Sequence, residues 1–150
     1  MEAKEYLEKV KEKYDLWQNK KAELTQLFDL ATNTSAPLNP DKVQTSSPKD
    51  KLGGLIAKKI DYESEVVKQA EAAFLSAYDD CIKILEELQK INHKQYKTLH
   101  ARYIELLELE QVDLHQVAAK IGYSYQRTKE FHTAGIKNVQ KILDKNKIHT

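Results

Sequence analysis

The chain has few of the residues with which small proteins form stabilising disulfide bonds or structural metal sites. Its 150 residues include one cysteine, Cys81, so no disulfide framework is expected and a reducing compartment is favoured. His93 and His100 lack both the i, i+4 spacing and the nearby third ligand of a zinc site. We therefore expect neither a metal site nor a cofactor.

Glycine and proline are also scarce, with four and three copies. The sequence contains no glycine-rich phosphate loop and neither the His-Glu-x-x-His nor the Gly-x-Ser-x-Gly pattern. Two adjacent acidic pairs, Asp79-Asp80 and Glu86-Glu87, fall on the exposed face of a predicted helix, where solvation explains them better than catalysis. We do not expect an enzyme or a small-molecule substrate.

Long apolar runs are absent as well. No stretch approaches the ~20 apolar residues that a membrane-spanning helix needs, and the first residues lack a signal-peptide pattern. The formal net charge is only +1, which argues against a general coat protein for nucleic acids. These patterns predict a cytoplasmic protein that has no membrane partner.

What the chain has in abundance is helical periodicity. Between residues 7 and 31 apolar side chains recur at 3,4 spacing over almost four heptads, interrupted by Lys21, and between 60 and 91 the same spacing returns. Residues 32–51 lose the periodicity and contain all three prolines, which predicts a linker, with Ser47 and Pro48 suited to start the next helix.

The two apolar seams indicate helices that associate. A helix from about Leu55 to Ile91 would extend ~55 Å and cannot bury its own stripe. We expect an antiparallel, coiled-coil-like hairpin that forms a homodimer, although the seams are equally suited to a partner helix or to packing within one monomer. The side chains assigned to oligomerisation are Leu7, Val10, Tyr14, Trp17, Leu24, Phe28, Val67, Phe74, Cys81, Ile84 and Leu88.

The last quarter of the chain reads as two short helices joined at Gly122. Asp113 and Gln116 have the spacing of a capping box at the start of the first helix. Gly122 can take the left-handed conformation of the turn, and Ser124 can cap the second helix. This pattern is typical of the helix-turn-helix that lays its second helix in the DNA major groove.

Charge supports the same interpretation. Between Leu114 and Thr150 there are seven lysines and arginines against two acids, an excess of five positive charges on a chain whose net charge is only +1. A solvated basic helix would show the same excess. The side chains assigned to DNA binding are Ser124, Tyr125, Gln126, Arg127, Lys129, Glu130, His132, Thr133 and Lys137.

The stretch from Leu114 to Phe131, LHQVAAKIGYSYQRTKEF, resembles the helix-turn-helix of sigma factor region 4, which reads the −35 promoter element. That family runs Leu-x-x-Ile-Ala-x-x-Leu-Gly-x-Ser-x-x-Arg-Val-x-x-Ile, and the chain follows it without a gap. The segment Tyr96-x-x-Leu99-x-x-Arg102-Tyr103-Ile104 is similar to the helix that precedes the motif. The whole chain resembles small regulators of phages of Gram-positive bacteria, the ArpU- and RinA-type late-transcription activators.

The resemblance implies roles for individual residues. Arg127 matches the family's arginine and is expected at a backbone phosphate, the alternative being a salt bridge to Glu105 or Glu130. At the four base-reading positions, occupied here by Tyr125, Gln126, Lys129 and Glu130, the family usually has Arg, Glu, Arg and Gln. Only Lys129 keeps the charge type. His132 is expected at an exposed flank, either against the DNA backbone or in solvent.

Three functions follow from these patterns. The first is a sequence-specific transcription regulator, a phage late-gene activator that binds double-stranded DNA and, as the resemblance implies, host RNA polymerase. The second is a small terminase-like packaging oligomer, and the third is an adaptor that uses the motif only as a scaffold. The expected fold is all-α, with a helical hairpin over residues 1–91 followed by a helix-turn-helix domain over 92–150.

Overall fold

The computed structural model describes residues 2–34 and 47–148, with side chains described for 2–32 and 54–147. These residues form helices and no strand, so the all-α class predicted from the sequence is confirmed. The five α-helices are α1 (Ala3–Thr34), α2 (Ser47–Ile91), α3 (His93–His100), α4 (Leu114–Ile121) and α5 (Tyr125–Ile148). A π-helical turn, Ala101–Glu105, continues α3.

The first long helix extends further than the sequence predicted, because α1 continues to Thr34. α2 begins at Ser47, where Ser47 and Pro48 were expected to start a helix. Both ends of the linker predicted for 32–51 are therefore helical, and 35–46 lie outside the described residues. The Thr32 hydroxyl donates to the Phe28 carbonyl at 2.9 Å, which satisfies the side chain within the helix. Threonine and serine cost a helix only a fraction of a kcal/mol, about 0.5, so their presence did not mark a boundary.

Contacts divide the chain into two compact units. Unit 1 comprises Met1–Tyr14 and Phe74–Thr150, and unit 2 comprises Asp15–Ala73. The division differs from the boundary at residue 91 drawn from the sequence, because the start of α1 and the end of α2 share a core with α3, α4 and α5. The amide of Ala3, for example, donates to Gln140 Oε1 of α5 at 2.7 Å.

The core of unit 1 draws on every one of its helices. Its largest fully buried apolar side chains are Leu7, Val10, Leu85, Leu88, Leu99, Val117 and Val139. Burial of each contributes about 1.5–3 kcal/mol before the entropy of ordering is subtracted. This core therefore fixes the position of α4 and α5, where the candidate site lies.

Six of the side chains assigned to oligomerisation are part of this core rather than of an association surface. They are Leu7, Val10, Phe74, Cys81, Ile84 and Leu88, each buried within one chain. A heptad pattern identifies a buried face but not the partner that covers it. Burial also raises the pKa of the Cys81 thiol to about 12, so this cysteine is unreactive.

A lysine from the start of the chain binds the residues that follow the π-helical turn. The Leu106 amide donates to the Ala101 carbonyl at 3.2 Å, the i to i+5 bond of a π-turn. Lys11 Nζ of α1 donates to the carbonyls of Leu107 and Leu109, each at 2.6 Å. These bonds satisfy two carbonyls of the turn that follows the helix.

Unit 2 buries far fewer of its described side chains than unit 1 does. Of its described side chains Ala70 is the buried one, while Trp17, Leu24 and Val67 are half-buried. Residues 23–30 of α1 and 59–63 of α2 line one groove of about 340 Å³, so within this unit the end of α1 faces the start of α2. Its exposed large apolar side chains include Phe28 (51%), Leu55 (64%) and Tyr62 (68%).

Within the described ranges, no helix combines the length and the hydropathy that crossing a bilayer requires.

Candidate nucleic-acid interface

The first helix of the candidate site, α4, begins at a complete capping box. Asp113 Oδ1 accepts from the amides of His115 at 2.7 Å and Gln116 at 3.0 Å, and Gln116 Oε1 accepts from the Asp113 amide at 3.0 Å. The predicted capping box is confirmed. An eight-residue helix is too short to be stable by itself, so this cap and its packing hold α4 in place.

The turn between α4 and α5 has the predicted left-handed glycine. Gly122 has φ 80° and ψ 24°, and its amide donates to the Ala118 carbonyl at 2.9 Å. Ser124 Oγ then accepts from the Arg127 amide at 3.2 Å, which confirms Ser124 as the cap of α5. The chain changes direction over three residues because glycine alone adopts this conformation without strain.

Side chains at this corner lock the two helices together. Val117, Ala118 and Thr128 are buried between them, with Thr128 fully enclosed. The His115 and Tyr125 rings stack at 4.0 Å with an interplanar angle of 13°. Tyr123 meets Phe131 edge-on at 5.4 Å. The stack on His115 was not anticipated, since no spacing rule connects a residue of α4 with the first residue of α5.

The first half of α5 presents a row of exposed polar side chains. All the residues assigned to DNA binding except His132 are exposed: Ser124, Tyr125, Gln126, Arg127, Lys129, Glu130, Thr133 and Lys137. Five of them line a shallow groove of about 340 Å³ along the helix: Gln126, Lys129, Glu130, Thr133 and Lys137. Within it Gln126 Nε2 lies 3.5 Å from Glu130 Oε1, a long contact that leaves the amide able to bind elsewhere.

Arg127 is held by an aromatic ring rather than by a carboxylate. Its guanidinium lies over the Phe131 ring, 5.7 Å from the centroid. Glu105, one of the two acids considered as its partner, instead lies 3.1 Å from His100 Nδ1 and 4.0 Å from Lys120 Nζ. Stacking leaves the planar donors of an arginine available at its edge, where they can meet a phosphate.

His132 does not lie at the exposed flank that the sequence suggested. It is half-buried, with Nε2 3.1 Å from Arg102 Nη1 and 3.0 Å from the Tyr103 hydroxyl. Arginine can only donate, so Nε2 accepts and the ring is neutral with its proton on Nδ1. Burial, then the positive charges of Arg102 and Lys4, lower the pKa of His132 to about 4. His132 therefore positions α5 from behind.

Two further contacts hold α5 against α3. Asn138 Nδ2 donates to Gln95 Oε1 at 2.6 Å, and Gln95 is buried. Gly135 lies at a close approach of the two helices, because a Cβ built there would be 3.1 Å from Leu99 Cδ1. This close approach explains a glycine for which the sequence offered no reason.

The site carries no sign of metal chemistry among the residues described. No group of three histidine, cysteine or acidic side chains there has the proximity to hold an ion. The arrangement is instead a helix surface of exposed donors, supported from behind by buried apolar side chains and a neutral histidine. Comparison with protein-family models, curated proteins and solved structures finds no match to this chain.

Proposed function

We propose that the protein is a sequence-specific DNA-binding regulator of transcription, with α4 and α5 as a helix-turn-helix and α5 as the reading helix. One observation carries the proposal: eight exposed side chains, most of them hydrogen-bond donors, follow the start of a helix that a left-handed glycine turn sets against a short capped helix. A row of donors on a helix surface suits both phosphate and the edges of bases in the major groove.

Individual side chains have complementary tasks in this proposal. Gln126 offers an amide suited to adenine, and Lys129 an ammonium suited to guanine O6 and N7. Arg127, braced on Phe131, is placed for a backbone phosphate. Tyr125, held in the stack with His115, presents its ring edge to a thymine methyl group or its hydroxyl to a phosphate. Phosphate contacts fix the register, and base contacts supply the specificity.

The wider architecture belongs to the same proposal. A helical hairpin made by α1 and α2 associates with a second copy, so that two reading helices meet two half-sites about one helical turn apart. The resemblance to sigma region 4 adds host RNA polymerase as a further partner and suggests late-gene activation in a phage-infected bacterial cytoplasm. Activation by recruitment needs no enzymatic site and no cofactor.

The proposal is tested by measuring duplex binding through fluorescence anisotropy over a range of salt concentrations. The double variant Arg127→Ala, Lys129→Ala should bind at least about tenfold more weakly, since one lost contact to a base or phosphate costs roughly 1–3 kcal/mol. The control Lys58→Ala, Lys68→Ala removes the same charge from exposed positions of α2. Equal loss in both variants, or no binding by the unaltered protein at low salt, would reject α5 as the reading helix.

A further inference from the structure

A second surface that carries lysines lies where the start of α1 meets α5. It is next to the exposed side chains of Ser124–Lys137 on α5, which we call the reading face. The Ala3 amide donates to Gln140 Oε1 at 2.7 Å, which fixes the first turn of α1 on α5. The next residue, Lys4, is exposed. Lys4 lines the same groove as Ile136, Lys137 and Gln140 of α5. Residues from opposite ends of the chain thus form one surface.

This surface is concave. The start of α1 and the second half of α5 line an open groove of about 780 Å³, whose charged side chains are Lys4, Lys137, Lys147, Glu2 and Glu5. Lys137 also lines the groove of the reading face with Gln126 and Lys129. The two grooves therefore share Lys137 as a common wall, and a ligand that follows α5 through the first groove reaches the second.

We propose that this second groove binds the phosphate backbone of the DNA next to the bases that α5 reads, with Lys4 and Lys137 as the residues that contact phosphate. The inference rests on the proposed function, because it extends the same interface by a contact from α1. Lysine ammonium groups on flexible stems bind phosphate as point charges and need no fixed geometry. The Ala3 amide is already occupied by Gln140, so the lysines, and not the end of the helix, supply the attraction.

The acidic residues limit the strength of the contact. Glu2 and Glu5 offset part of the positive charge of the groove, which limits its attraction for phosphate. Such a contact carries no sequence information, but it orients the reading helix and adds to the salt dependence of binding. Lys4 is therefore a residue for affinity, whereas Gln126 and Lys129 are residues for specificity.

The first test maps the interface by recording amide chemical shifts of the full chain while a random-sequence duplex is added at low salt. We expect shifts at residues 3–5 and 137–140 together with those at 124–130. Shifts confined to 124–130 would overturn the phosphate groove and leave the reading helix intact. Shifts at 3–5 and 137–140 alone would overturn the reading helix and support the groove. No shift in any of these segments would overturn both.

The second test separates Lys4 from a general effect of charge. Lys4→Gln should lower the slope of log affinity against log salt by about 1, the loss of one phosphate contact, and leave the preferred sequence unchanged. Lys9→Gln removes the same charge from an exposed position on another face of α1 and should leave the slope unchanged. Equal slopes for the two variants would overturn the role of Lys4.

Discussion

At the scale of single residues, the candidate site depends on groups that lie behind its exposed side chains. The His132 ring is neutral and half-buried behind the reading face. It accepts hydrogen bonds from Arg102 and Tyr103, two residues of the π-helical turn. Burial raises the pKa of Tyr103 to about 12, so its hydroxyl keeps the proton that it donates. A protonated His132 would lose this acceptor, and the cluster would then hold two adjacent cations.

We expect His132 to make stability depend on pH. Its pKa of about 4 in the folded chain lies below the ordinary value of 6.5, so the unfolded chain binds the proton more readily between these values. The contribution is complete above about pH 6.5 and is lost as the pH falls toward 4. Chemical denaturation of the wild type and His132→Gln at pH 7 and pH 5 measures it: the loss on acidification should be smaller in the variant.

The cluster of Arg102, Tyr103 and His132 also allows a direct test of what lowers the pKa of His132. In Arg102→Ala the His132 imidazole should titrate closer to its ordinary pKa, because one of the charges that opposes protonation is removed. A wild-type His132 that titrates near 6.5 by proton resonance would contradict both the burial of the ring and its role as an acceptor.

Gly135 makes the close approach of α3 and α5 testable. Alanine normally stabilises a helix interior by up to about 1 kcal/mol relative to glycine. At 135, however, its Cβ would lie 3.1 Å from Leu99 Cδ1, so the fully buried Leu99 side chain would have to shift by a few tenths of an ångström within a packed core. We expect Gly135→Ala to lower the free energy of unfolding by about 1 kcal/mol, and Gly135→Val by more.

The control for this prediction is Gly54→Ala in α2, where a Cβ would meet nothing within 4 Å. This change should not lower stability, and thermal unfolding of the three variants measures the difference. Gains of equal size at 54 and 135 would show that α3 and α5 are not in such close contact.

At the scale of elements, the corner formed by α4 and α5 holds the side chains in position. α4 has only eight residues, and its capping box, the Gly122 turn and the His115–Tyr125 stack all act at its ends. The exposed row on α5 is therefore only as well ordered as a short helix that depends on its cap. Local stability and DNA recognition should be coupled at this corner.

Substitutions of Asp113 test this coupling between the stability of α4 and DNA recognition. Asp113→Ala removes the acceptor of two amides and should cost about 1 kcal/mol of stability, with a matching decrease in affinity for DNA as α4 frays. Asp113→Asn keeps a side-chain oxygen of similar capping strength and should remain close to wild type. Amide hydrogen exchange in α4 distinguishes the two variants, and equal protection in both would deny the cap this role.

The sequence predicted the local features of these elements well, because each depends on residues close together in the chain. The cap at Asp113, the left-handed turn at Gly122 and the cap at Ser124 are of this kind. The prediction that His132 lies at an exposed flank was wrong, because the position of this side chain depends on Arg102 and Tyr103, which contact it through tertiary packing alone. The place of Leu7 in the core of unit 1 was missed for the same reason.

At the scale of the whole molecule, the two units differ in how completely they bury their apolar side chains. Unit 1 encloses a core, whereas the described part of unit 2 leaves Phe28, Leu55 and Tyr62 about half exposed or more. Two paired helices offer too few faces to enclose a shared core, and pairing with a second hairpin would give the four helices of a bundle. A second copy is the association that the proposed dimer requires.

Sedimentation equilibrium tests this association. The wild type should have twice the chain mass of 17.3 kDa, and the double variant Phe28→Glu, Tyr62→Glu should have the mass of one chain. Leu109→Glu, which adds a charge at an exposed leucine of unit 1, serves as the control and should remain dimeric. A wild-type monomer would contradict the dimer, and a ring of eight or more copies would favour the packaging alternative.

The most direct test of the central claim is selection of binding sites from a random duplex library, in parallel for the wild type, Arg127→Ala with Lys129→Ala, and Lys58→Ala with Lys68→Ala. We predict that the wild type and the α2 variant enrich the same motif, with two-fold symmetry, and that the α5 variant does not. If the wild type enriches no motif, or if the α5 variant enriches the same motif equally well, α5 is not a sequence reader.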